Sequence, residues 1–150
     1  LGLFSILLSG AVVAAHAMFQ SSGRNIAKAM VEEEGNFLVG KIQWALSGVS
    51  IVNTPLVGEV SSNLTVTKYD NSLVTLSLPP GGVMMIQVGA TTSPLNNANT
   101  SITALTFTHI GASSDGITPE GVIAEFSISA TTPNGAIVTR DFSTTKYLRK

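Results

Sequence analysis

Two histidines and one serine-rich stretch are the places in this 150-residue sequence where side chains could do chemistry. His16 sits inside an apolar run. There it is either a proton-sensitive contact in a helix bundle or a neutral, hydrogen-bonded packing residue. His109 falls on the same strand face as Leu105 and Phe107, which points to a structural role. Ser113-Ser114-Asp115-Gly116, with Glu120 nearby, has the look of a calcium loop. Hard cations, however, take six or more oxygens, and this cluster offers few charged ones. No Ser-His-Asp spacing, glycine-rich phosphate loop or HExxH pair occurs. The chain has no cysteine, which removes thiol catalysis, thiolate metal sites and disulfides. The expectation is therefore no catalytic residue, no cofactor, no metal and no enzyme. Asn63-Leu64-Thr65 and Asn99-Thr100-Ser101 match the N-glycosylation acceptor pattern.

If no residue set does chemistry, the elements themselves must carry the function. Charged residues make up 11% of the chain, the net charge is -1 and the mean hydropathy is +0.36. With no basic surplus to neutralise phosphates, nucleic-acid binding is not expected. The length suits one domain with a real core.

Leu1 to Phe19 contain no charged residue. About 20 helical residues at 1.5 Å each span roughly 30 Å, enough to cross a bilayer. Three readings stand side by side. The run is a transmembrane anchor; or a secretory signal peptide, with Ala15-His16-Ala17 as a small-x-small cleavage site; or the start of a chain already processed at Leu1. Ser5, Ser9, Gly10, Ala11, Ala14, Ala15 and Ala17 are small, which suits helices packed closely on helices.

From Gln20 the pattern turns amphipathic. Ala27, Val31, Leu38, Ile42, Ala45 and Val49 recur at the helical period, and Met30, Phe37 and Trp44 widen that face at steps of seven. Glu32-Glu33-Glu34 reads as a solvated face or an intersubunit charge pair. Gly23, Gly35 and Gly40 mark places for a bend or local unwinding. Gly48 and then Asn53-Thr54-Pro55 end the helix near residue 50, so residues 1–50 form a rod roughly 70 Å long. Half of it must project.

Residues 51–150 read as a β-rich head. Leu64–Tyr69 and Leu73–Leu78 flank the turn Asp70-Asn71-Ser72. Pro79-Pro80-Gly81-Gly82 precedes Val83–Val88. A polar loop, Thr91 to Ser101, leads to strands at Ile102–Ile110, Val122–Ala130 and Ala136–Tyr147. Alternation is clearest in Val122, Ala124, Phe126, Ile128 and Ala130. The expected fold is α+β: a long N-terminal helix, apolar in its first half, packed by its second half on an antiparallel sheet. Val31, Leu38, Ile42 and Trp44 should pack against Phe107 and Phe126.

The start Leu1-Gly2-Leu3-Phe4-Ser5-Ile6-Leu7-Leu8, the helix through Trp44, and the strands Ser101–Phe107 and Asp141–Arg149 together resemble the type IV pilin superfamily, pseudopilins included. The family has Phe at the first mature position and Glu at the fifth, where this chain has Leu1 and Ser5. That Glu is held to offset a neighbour's α-amino charge. Ser5 accepts a hydrogen bond but neutralises nothing, a feature shared with tip pseudopilins and with many archaeal pilins. Archaeal pilins pair a more continuously apolar helix with a β-sandwich, and the charged stretch from Arg24 to Lys41 favours the bacterial type.

The resemblance implies a structural subunit of an extracellular pilus-like filament. Processing and methylation would fall at Leu1. The subunit would wait in the inner membrane and then join a homo-oligomeric helical polymer, with other pilins and an assembly machinery as partners. A heterologous, non-closing contact gives such a polymer. The filament-core residues would be Leu1, Leu3, Phe4, Ile6, Leu7, Gly10, Val13, Ala14 and Phe19. The alternatives are a minor or tip pseudopilin of a secretion-like system and a membrane-anchored surface binding module. In the binding module, loops Thr91–Ser101 and Gly111–Gly121 would hold the ligand.

Overall fold

The computed structural model describes residues 2–114 and 117–148, with helix side chains from Ser9 onward. The leading apolar and amphipathic patterns merge into one helix, α1, Gly2–Ala45, about 66 Å long at 1.5 Å per residue. It runs through Gly23, Gly35 and Gly40 without interruption, so none of these glycines breaks it. It stops at Ala45 rather than near residue 50. Leu46 N–H still reaches the Ile42 carbonyl at 3.0 Å, and Ser47 N–H bonds the Trp44 carbonyl at 3.1 Å. Gly48 then takes φ 67°, a left-handed turn that costs glycine little and closes a helix. The β-branched run beyond it favours a strand, so Val49 opens β1, Val49–Thr54, instead of closing the helix stripe.

Eight more strands follow: β2 Val60–Ser61, β3 Leu64–Lys68, β4 Leu73–Ser77, β5 Met85–Val88, β6 Thr91–Pro94, β7 Thr100–Ile110, β8 Gly121–Thr131 and β9 Ile137–Tyr147. They form two antiparallel sheets, ordered β1-β3-β4-β5-β6 and β2-β7-β8-β9. The expected single sheet is thus two. Alternation tells which face of a strand is buried, not which strands are neighbours. Here β1 skips β2 to pair with β3, and β2 joins β7 through Val60↔Thr108 and Ser61↔Phe107. The β3–β4 hairpin falls where its turn residues predict. Asn71 has φ 63°, and the Asp70 carboxylate accepts from the Ser72 N–H at 2.9 Å and hydroxyl at 2.6 Å. Those two bonds, the hydroxyl first, hold the Asp70 carboxyl below the usual carboxylate range.

One core serves all three layers. Val31, Leu38 and Ile42 come from α1, Leu64, Val66, Val74 and Leu76 from the first sheet, and Phe107, Ala124, Phe126 and Ile128 from the second. The helix lies mainly on β9 and β8. Phe126 and its cross-strand partner Phe142 stack with ring centroids 5.3 Å apart and planes 12° from parallel. The fold is therefore α+β, one N-terminal helix on antiparallel sheets.

Candidate functional site

The helix divides at Gly23. From Ala27 onward its inner face is buried, whereas every residue from Ser9 to Ser22 is exposed. Large apolar side chains stand in the open there: Val13 is 68% exposed, Met18 74% and Phe19 77%. The first Asp, Glu, Lys or Arg along the sequence is Arg24. Among the expected filament-core residues, Gly10, Val13, Ala14 and Phe19 all lie on this uncovered segment. At 100° per residue, Gly10, Val13 and Ala14 share one face, and Phe19 is on the other side next to Val12. Leu1, Leu3, Phe4, Ile6 and Leu7, expected in the same core, lie outside the residues whose side chains are described. Among the described residues, no helix is long and apolar enough to cross a membrane.

Where the rod leaves the head, the β8–β9 turn leans on it. A Cβ built on Gly23 would meet the Pro133 ring at 3.4 Å. His16, Phe19, Gln20, Gly23, Pro133 and Asn134 frame a small cleft there, about 200 Å³. His16 is hydrogen-bonded along the helix, its Nε2 lying 2.9 Å from Gln20 Nε2, and the pair is exposed.

Polar ties then hold the second half of the helix to the head. Glu32 pairs with Arg140 at 3.0 Å. The Glu34 carboxylate accepts from both the backbone N–H and the side-chain amide of Asn97, at 2.9 and 2.7 Å. Gln43 Nε2 donates to Thr144 Oγ1 at 3.0 Å. Two members of the acidic run therefore bind the chain's own head, Glu32 while it stays half exposed to solvent. Nothing local marks this, because both partners lie far along the chain.

Val31, Leu38, Ile42, Phe107 and Phe126 are buried. Trp44 is not; it is 48% exposed, with Lys68 Nζ 4.1 Å from its ring centroid. Phe37 is 46% exposed under Lys41 Nζ at 5.4 Å. Trp44 sits 200° round from the buried Ile42, so Phe37 and Trp44 lie outward beside the core stripe, whereas Met30 packs against the core and widens it as expected.

The candidates for chemistry separate. His109 is 3% exposed, and its Nδ1 and Nε2 each lie 2.9 Å from an acceptor, the Pro55 carbonyl and Glu120 Oε1. That clamp ties the β1–β2 connection to the segment entering β8. Glu120 is thereby engaged, and Asp115 and Gly116 of the stretch weighed as a calcium loop lie outside the described residues. Among the described residues, no three metal-capable side chains gather. The loop Thr91–Ser101 holds a strand, β6, and is fastened by Asn96, which accepts from Met84 N–H at 2.7 Å and donates to the Gly82 and Thr100 carbonyls. Asn63 and Asn99 are both exposed.

No protein-family model matches this chain, and no curated protein or solved structure is detectably similar to it.

Proposed function

We propose that this chain is a structural subunit of an extracellular, type IV pilus-like filament. Its apolar rod is held in the inner membrane before assembly and in a bundle of copies afterwards. The observation that carries this reading is the uncovered helix from Ser9 to Ser22, uncharged and rich in exposed Val, Met and Phe. Apolar surface left in water forgoes about 25 cal/mol per Å², and a continuous exposed apolar surface marks an interaction site. Apart from the small cleft at Pro133 and Asn134, the head leaves this segment uncovered, which suits a partner from another molecule. The small residues at Gly10 and Ala14 suit close approach of helix backbones, which lipid does not require. A rod leaving a head at one end has different surfaces at its two ends, the asymmetry a head-to-tail polymer needs.

The test is removal of all residues before Gln20, followed by electron microscopy of the purified product. No polymer is expected; polymer from the truncated chain would end this reading. A minor or tip subunit is the second reading, favoured by Ser5 in place of the family's Glu. The share of this chain in purified filaments separates the two.

A further inference from the structure

His109 is 3% exposed, and both of its ring nitrogens face oxygen atoms. Nδ1 lies 2.9 Å from the Pro55 carbonyl, in the connection between β1 and β2. Nε2 lies 2.9 Å from Oε1 of Glu120, the residue before β8, whose side chain is 16% exposed. A carbonyl oxygen only accepts, and so does an ionised carboxylate. The trio is therefore closed only when it holds two protons, one on the Nδ1–O line and one on the Nε2–O line. A neutral imidazole facing a carboxylate supplies one. That single proton favours the charge-assisted bond to Glu120, which leaves the Pro55 carbonyl opposite a bare ring nitrogen. Two acceptors with no proton between them repel, and a buried acceptor without a donor costs free energy.

We propose that His109 is a proton-operated latch that fastens the β1–β2 connection to the segment entering β8 on the acid side and releases Pro55 as pH rises. The direction follows from the proton count, because the closed form holds one proton more than the open form. Imidazole is the side chain that ordinarily changes charge between about pH 5 and 8. The connection it holds carries Leu56 and Val57, 61% and 63% exposed. The latch thus sets how firmly these two apolar side chains are presented. The other titratable groups on the surrounding elements are Glu59 in the same connection, Lys146 on β9 across Val122, and Tyr69 and Tyr147, which line the neighbouring cleft with Pro119. Carboxylates, phenols and ammoniums ordinarily titrate below about pH 5 or above about pH 9, so between those limits the trio is what changes. Two backbone bonds lie beside it and report its state: Gly58 N–H to the His109 carbonyl at 2.8 Å, and His109 N–H to the Glu59 carbonyl at 3.3 Å.

The test is NMR of the full chain in detergent between about pH 5 and 9. Amide exchange of Gly58 is read against that of the buried Val66 in β3, so that the intrinsic pH dependence of exchange cancels. In the wild type the relative protection of Gly58 is expected to fall about tenfold across the range. The ring-nitrogen shifts should show the proton retained at the alkaline end on Nε2. Glu120→Gln should hold the Gly58 protection constant, because its carboxamide donates to Nε2 while Nδ1–H still serves Pro55. Unchanged protection in the wild type, or a retained proton on Nδ1, overturns the latch. An equal fall in Glu120→Gln overturns it too, since another group would then be titrating. If that variant does not fold, the two wild-type readouts decide alone.

Discussion

Asn96 satisfies three backbone groups with one buried carboxamide: the Met84 N–H and the Gly82 and Thr100 carbonyls. No aliphatic residue could do this, and each of those groups would otherwise be a desolvated polar atom. Replacing Asn96 with Ala should destabilise the head by about 1–3 kcal/mol, measured as a lower urea midpoint with an unchanged m-value. Asn97→Ala, whose side chain reaches the exposed Glu34 carboxylate, should cost less. This site was not legible in the sequence. A lone Asn in a polar stretch reads as solvent-facing, and its partners are up to fourteen residues away in a loop. His109 was more readable, because its strand neighbours Leu105 and Phe107 placed it on a buried face. Its two acceptors, from Pro55 and Glu120, were beyond any local pattern.

The helix owes its seating to Gly35. A Cβ there would lie 2.1 Å from the nearest Phe142 ring atom, so the stacked Phe126–Phe142 pair fixes how closely α1 meets β9. Gly35→Ala should cost about 1–3 kcal/mol through overpacking, despite its higher helix propensity. Phe142→Leu should recover part of that loss in the double variant, a positive coupling in a double-mutant cycle. The existence and direction of the helix followed from its periodicity, as did its buried residues Val31, Leu38 and Ile42. Its glycines mark places for a bend or unwinding, and none interrupts the helix; spacing cannot say that the Phe142 ring stands opposite Gly35. Trp44 reads as inward from its steps of seven, but such steps drift round a 3.6-residue helix, and the side chain lies outward. Val49 reads as the end of the helix stripe because a buried strand residue and a buried helix residue look alike where two elements meet.

At the scale of the whole molecule, helix and both sheets share one hydrophobic core. Unfolding should therefore be a single transition. Leu38→Ala, at a fully buried helix position, should cost about 2–5 kcal/mol. Hydrogen exchange should show that loss equally in β3–β4 and in β7–β8. Retained protection in the first sheet alone would mean the sheets fold separately. Strand positions were legible from alternation and turn residues, most clearly in β3, β4 and β8. The division into two sheets was not, since it depends on which edges meet after long excursions of the chain. One mechanical consequence remains. The helix is fastened to its head at Asn97, ahead of β7, and at Arg140 and Thr144, both on β9. A pull on the rod is thus shared by several anchorages in parallel, and rupture demands that they yield together rather than one after another.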